Sequence, residues 1–274
     1  MFETYVINLK QDVQRYVKLE KEMKKRGILT IRYDAIYGKN IKDFTPYDKH
    51  ISTYCKYFCP KSLVGCGLSH YLLLEKVYDN YRRYRNTEYT LILEDDVTPL
   101  FNNVQTIENI IIDDYPTDCD ILLLFCQGIC GYDNSDKRVI KNENGLIGSM
   151  AAYVIRNSSI PKFLVDPLIF HVDAQWYQNK NIITYVYNRK IFTVDNSYSY
   201  NMVVPSKNNI FYNNFDKLWK LDNLTLTEAL SYKIFRFPIV GAEVTALDIL
   251  KWAIVIFIIW YVFQFYKRSH IKDV

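Results

Sequence analysis

The run Glu88-Tyr-Thr-Leu-Ile-Leu-Glu-Asp-Asp96 decides how this chain is read. Residues 88–93 predict a buried β-strand, being a short run rich in β-branched and aromatic side chains. Three carboxylates follow where that strand leaves the core. Burying an unpaired charge costs several kcal/mol or more, so Glu94, Asp95 and Asp96 either reach solvent or are held by a cation. In open α/β sheets ligands bind beyond the carboxyl ends of the strands. A cluster of hard oxygen ligands there suits Mn²⁺ or Mg²⁺ carrying a diphosphate. A solvated acidic turn is the plainer alternative.

Outward from this run, strands and helices alternate. Upstream lies a predicted helix over 64–83, with Val64, Leu68, Tyr71, Leu74, Val77/Tyr78 and Tyr81 on one stripe. Before it, residues 36–62 read as a polar, irregular loop over a site, punctuated by Gly38, Pro46 and Pro60. The chain opens with a strand over 3–9 and a helix over 12–26, closed by Lys24-Lys25-Arg26 and Gly27. A second strand is expected near 29–35. Downstream come a helix around 103–112, a buried strand at 119–125, a loop or hairpin over 128–148 and a strand at 151–155. Ser158/Ser159 with Pro161 predict a helix start. A helix over 172–179 and strands at 182–187 and 190–194 complete the pattern. Such alternation predicts an α/β fold, a mostly parallel sheet with helices on both faces. The expected division is a catalytic domain over 1–205, a connector over 206–245 and a membrane anchor over 246–268.

The anchor rests on Trp252–Tyr266, fifteen residues without charge, extended by Ile249-Leu250 across Lys251. As a helix this run is about 22–27 Å long, against a hydrocarbon core of about 30 Å. Lys251 can snorkel, and Trp252, Trp260, Tyr261 and Tyr266 suit an interface. The expectation is a single-pass C-terminal anchor with the catalytic domain in the cytosol. No basic-then-apolar leader is visible, so the six cysteines are expected as reduced thiols. The net charge of +4 is scattered, which gives no argument for nucleic-acid binding.

Taken in order, several blocks resemble the family 25 glycosyltransferases, which include lipooligosaccharide and procollagen galactosyltransferases. They are Tyr5-Val-Ile-Asn-Leu9 with Arg15, Asp34-Ala-Ile-Tyr-Gly38, Gly65-Cys-Gly-Leu-Ser-His70, Ile92-Leu-Glu-Asp-Asp96, and Gly148-x-x-Ala-Ala-Tyr-Val-Ile155 leading to Val172-Asp173. The chain departs from the family pattern at Leu63-Val64, where an acidic residue is usual, and at Asn157-Ser-Ser-Ile160. The resemblance implies a GT-A-like domain that transfers a hexose, commonly galactose, from a UDP-sugar with inversion. It also implies a glycan, lipid-linked or hydroxylated protein acceptor.

The residue chemistry agrees. A nucleoside diphosphate leaves well only when its charge is neutralised, and a divalent ion held by carboxylates does this. Asp96 is assigned to the metal first, with Glu94 and Asp95 as candidates for a further ligand, a ribose contact or a supporting role; Glu94 is placed with both the metal and the donor site, Asp95 with the donor site. Asn8 and Arg15 are candidates for the nucleotide, an amide for a uracil edge and a guanidinium for a diphosphate. Ser69 and His70 are adjacent on a helix and project about 100° apart, so one of them is expected to be structural. Ser69 is placed with the donor site and His70 with the catalytic groups. Inversion needs one general base for the acceptor hydroxyl, and Asp173 is the candidate. A catalytically inactive homologue that binds a glycan at a membrane is the alternative from another class. A nucleotidyltransferase ranks last, because a Gly-rich phosphate loop is missing.

Overall fold

A computed structural model describes residues 2–85, 87–128, 136–142, 147–195, 220–221, 224–238 and 241–270. In chain order the main elements are β1 (Phe2–Asn8), α1 (Val13–Lys25), β2 (Ile31–Asp34), α2 (Thr53–Phe58), α3 (Lys61–Tyr84), β3 (Tyr89–Glu94), β4 (Val97–Pro99) and α4 (Val104–Asn109). Then follow β5 (Ile121–Leu123), β6 (Gln127–Gly128), β7 (Val139–Lys141), β8 (Ile147–Gly148), β9 (Ala152–Arg156), α5 (Ile160–Phe163), α6 (Val172–Gln178), β10 (Thr184–Tyr187) and β11 (Phe192–Val194). Beyond them lie β12 (Lys220–Leu221), β13 (Leu224–Thr225), α7 (Leu226–Leu230), β14 (Lys233–Arg236), β15 (Glu243–Thr245) and α8 (Ala246–His270).

Seven strands form one sheet in the order β2-β1-β3-β9-β5-β10-β7. β1 pairs in parallel with β2 and β3, and β10 with β5. β9 runs antiparallel between β3 and β5, and β7 antiparallel at the β10 edge. Five strands therefore share one direction and two oppose them. Both faces are covered, as the continuous apolar runs of β1 and β3 require. Tyr5, Ile7, Ile92 and Tyr153 pack towards α3, α5 and α6 in one core layer. Val6, Leu91, Leu93 and Val154 pack towards α1 and α4 in the other.

The loop over 36–62 contains more structure than expected. Ser52 caps α2 by accepting from the Cys55 amide at 3.1 Å, and Ile41, Ile51 and Cys55 lie in the core. A close approach fixes its first turn. A Cβ on Gly38 would stand 1.6 Å from the Lys61 carbonyl oxygen, and one on Gly65 2.5 Å from the Gly38 nitrogen. These two glycines bring the 34–38 and 65–70 blocks together. The helix expected after Ser159 is only the short α5, preceded by a 3₁₀ turn over Asn157–Ser159. Of the 128–148 region, Gly131, Asn134 and Gly145 lie outside the described residues, while β7 joins the sheet.

One expectation is corrected. Cys55 and Cys59 form a disulfide, their Cα atoms 4.6 Å apart across one helical turn, and Cys126 is disulfide-bonded too. The thiol reading holds for Cys66 and Cys119. The segment assigned as connector also packs on the domain. Arg236 donates to the carbonyls of Cys59 (3.2 Å) and Lys56 (2.6 Å), and the Lys61 amide donates to Glu243 at 3.0 Å. Glu243 thereby caps the N-terminus of α3, where a carboxylate is favoured by the exposed amides. From this hairpin α8 departs. Its window Ala246–Phe263 has a mean hydropathy of 2.1 and is wholly unburied, long and apolar enough to cross a membrane by length and composition.

Candidate active site

The three acids stand where β3 ends, and each meets a different partner. The β1–β3 register sets Ile7 opposite Glu94, so Asn8 and the turn of Asp95 and Asp96 share one sheet end. Asn8 is buried and its amide is fully used. It donates to Asp95 Oδ2 and to the Asp12 carbonyl (3.0 Å) and accepts from Arg32 Nε (2.8 Å). Arg15 Nη2 lies 2.6 Å from Asp95 Oδ1 and 3.5 Å from Asp96 Oδ2. Glu94 Oε1 takes His70 Nε2 at 3.2 Å, while His70 Nδ1 meets the Tyr153 hydroxyl at 3.0 Å.

Asp96 Oδ1 is the exception: it is buried and has no hydrogen-bond partner among the described residues. Burial, reinforced by the charge of Glu94, pushes the Asp96 carboxyl well above the ordinary range despite Arg15. Burial likewise pushes Asp95 up to about 6, against the pull of Arg15 and Asn8. Asp120 shows what a structural acid looks like here. Its oxygens accept from Lys162 and from the Ile183 amide, all at 2.8 Å. An orphaned carboxylate oxygen beside a second acid fits a divalent ion, and the oxygens of Asp96 and Glu94 are the hard ligands such an ion takes. Cys66, His70 and Glu94 also bring ligand atoms within 4.8 Å of one another, but Glu94 Oε1 is already the acceptor of His70.

Two cavities meet at Cys66, Glu94 and Asp96. The first is lined by Leu9, Arg15, Ile36, Tyr37 and Ser69. The second is lined by Gln127, Ser149, His171, Asp173 and Tyr232. Asp173 opens α6, and burial with the nearby Glu94 charge raises its carboxyl, opposed by His171 and His70. Burial lowers the His171 imidazole. Ser149, in the wall of this second cavity, holds φ = 135°, a backbone region that L-residues rarely occupy. Its carbonyl accepts from the Tyr177 hydroxyl at 2.9 Å, which helps hold the strained turn.

The structure thus gathers Arg15, Ser69, His70, Glu94, Asp95 and Asp96 at one cleft and sets Asp173 across the acids from it. Asn8 does not line the cleft and reaches it only through Asp95. Ser69 lines it, yet its hydroxyl accepts from the Ile36 amide (2.8 Å) and donates to the Gly65 carbonyl (2.6 Å), tying the loop to α3. Trp176 is core, packed edge-on to Phe163. Sequence reasoning missed Gln127 and Tyr232, which belong to no motif, and Ser149, an unspecified position of the Gly148–Ile155 block. It also did not anticipate that Arg15 already partners two of the acids.

The family model for glycosyltransferase family 25 (LPS biosynthesis protein) matches residues 1–174. The chain belongs to this family. It is a glycosyltransferase. No curated protein sequence matches it. Among solved structures this family 25 member is similar to a glycosyltransferase involved in glycosylation of the major capsid of PBCV-1, at 9% identity and a TM-score of 0.32. The similarity covers 59% of this chain and 62% of that one. It is also similar to a Drosophila β1,4-galactosyltransferase 7 mutant in complex with manganese, UDP-Gal and xylobiose, at 8% identity and a TM-score of 0.36, covering 82% of each chain.

Proposed function

We propose that this family 25 glycosyltransferase moves a hexose, galactose by family resemblance, from a UDP-sugar to a glycan, lipid-linked or hydroxylated protein acceptor, with inversion. The observation that carries this reading is the junction of two cavities at Glu94 and Asp96, with one Asp96 oxygen buried and unpartnered. Asp96 and Glu94 would hold Mn²⁺ or Mg²⁺, which when bound neutralises the departing diphosphate. Arg15 adds fixed positive charge on the nucleotide side of the junction and restrains Asp95. His70, held by Tyr153, fixes the orientation of Glu94. On the far side Asp173 takes the proton of the attacking hydroxyl, its raised carboxyl making it a stronger base than an ordinary aspartate.

The helix Ala246–His270 is proposed as a single-pass anchor, which keeps the enzyme beside lipid-linked or surface acceptors. Protease protection of sealed vesicles reports the orientation directly.

The test of the enzymatic reading is release of UDP from a panel of UDP-hexoses by the full chain in detergent. Mn²⁺-dependent release that is lost on chelation and in Asp96→Asn is expected. Release that is indifferent to both would overturn the metal assignment, and no release from any UDP-sugar would overturn the donor class.

A further inference from the structure

Gln127 and Tyr232 line the second cavity and not the first. Gln127 is 8% exposed, and its Nε2 is buried without a hydrogen-bond partner among the described residues. Its Oε1 is 3.4 Å from the Tyr232 hydroxyl. Another buried amide shows how such a group is satisfied when its role is structural: Asn157 accepts from Thr90 (2.8 Å) and donates to the Thr87 carbonyl (3.0 Å). Leaving a buried N–H donor unmade costs about 1–3 kcal/mol, and an apolar side chain of similar shape would avoid that cost. An amide kept in this position fits a ligand that brings its own acceptor.

The neighbours define that ligand. The Tyr232 ring stands edge-on to His171 with centroids 6.1 Å apart, one residue removed from Val172 and two from Asp173. Burial and the charges of Asp173, Glu94 and Asp96 keep the phenol protonated; its one hydrogen is donated to Gln127 Oε1, which leaves the phenol oxygen to accept. An amide N–H beside a neutral phenol matches a sugar hydroxyl, which donates and accepts together, better than it matches an anion. The position is also appropriate, because the cavity begins at the two acids proposed for the metal and diphosphate.

We propose that Gln127 and Tyr232 bind a ring hydroxyl of the hexose carried by the UDP donor, and so form a specificity-determining pair of this glycosyltransferase. Tyr232 lies beyond the 1–174 stretch matched by the family model. The hairpin that follows it is tied to α2 and α3 through Arg236 and Glu243, which keeps the phenol in register with the cavity. The segment after the sheet is therefore part of the site. The inference rests on the UDP-sugar reading above.

Calorimetric titration of the full chain in detergent with Mn²⁺ tests it, using UDP, UDP-galactose and UDP-glucose against wild type, Gln127→Leu and Tyr232→Phe. Both variants are expected to bind UDP within about twofold of wild type. Each is expected to lose about tenfold in affinity for the preferred UDP-hexose, the worth of one hydrogen bond, and to narrow the galactose–glucose difference. Gln127→Leu is expected to melt no lower than wild type, because it removes an unsatisfied amide. Unchanged UDP-hexose affinity in both variants, or a parallel fall for UDP itself, overturns the pair's role while leaving the donor class standing. A wild type that binds neither UDP nor any UDP-hexose overturns the donor class and this inference with it.

Discussion

Nη2 of Arg15 lies 2.6 Å from Oδ1 of Asp95, a pair that is three-quarters or more shielded from solvent. The same nitrogen reaches Asp96 at 3.5 Å, so one guanidinium compensates two acids at the mouth of the cleft. Removing one partner of a buried pair leaves the other charge uncompensated. Arg15→Ala is expected to cost about 1–3 kcal/mol of stability, discounted for partial exposure, and to weaken UDP binding about tenfold or more. Arg15→Lys restores only part, because a single ammonium replaces a fork. Denaturant titration and calorimetry read the two effects separately. Unchanged UDP affinity in Arg15→Ala would mean that Arg15 serves the acids alone.

Asp96→Asn tests the orphaned oxygen. Activity is expected to fall by about 10²-fold or more, comparable with removing a principal electrostatic contact at a transition state. Without metal the variant should melt at or above the wild-type temperature, because an amide does not carry the cost of burying an ionisable carboxyl beside Glu94. Mn²⁺ should raise the wild-type melting temperature and leave the variant's unchanged. A variant that Mn²⁺ stabilises as well as wild type would place the ion elsewhere.

The acid limb of kcat/KM should report Asp173. Burial and Glu94 raise this carboxyl, so activity is expected to climb with pH through a limb above the ordinary aspartate value of about 4. Asp173→Glu retains a limb with reduced activity, and Asp173→Asn removes most of the activity. A limb in the ordinary carboxylate range would assign the base to another group.

Stability should run the opposite way with pH. Folding raises Asp95 from 3.8 to about 6, so the folded chain binds this proton more tightly than the unfolded one. Its contribution is complete below the unfolded value and disappears as pH rises through the folded value. Between about pH 4 and 6 the metal-free protein should lose stability on this account, opposite to an acid held down by a salt bridge. Asp95→Asn flattens that part of the profile. Melting curves across the window, with and without the substitution, provide the comparison.

Gly38→Ala places a Cβ 1.6 Å from the Lys61 carbonyl oxygen, a backbone atom that cannot swing aside. Overpacking of this kind costs about 1–3 kcal/mol or more. A fall in melting temperature of about 2–12 °C is expected. A melt equal to wild type would show that the loop is not seated on α3 as described.

The apolar run of β3, its acidic end, the stripes of α1 and α3 and the alternation of strands with helices were legible because periodicity and breakers are local properties. Strand direction was not. Ala152–Arg156 is apolar on both faces, as a buried parallel strand would be, and its antiparallel place between β3 and β5 is set by the pairing partners. The short α2 had one local signal, Ser52 as its cap, inside a stretch that otherwise reads as loop. The disulfide escaped because spacing alone does not report whether two thiols face each other.

The candidate site divides in the same way. Hard oxygen ligands at a strand end, and the ordered blocks that mark the family, are properties of the sequence alone, since they depend on residue type and short-range order. Only the tertiary structure decided that Arg15 spans Asp95 and Asp96, that Asn8 acts behind Asp95, that one Asp96 oxygen is left without a partner, and that Tyr232 meets Gln127. Those relationships join residues up to 105 positions apart. They follow from the register of the strands and the docking of a late hairpin, which no local pattern encodes.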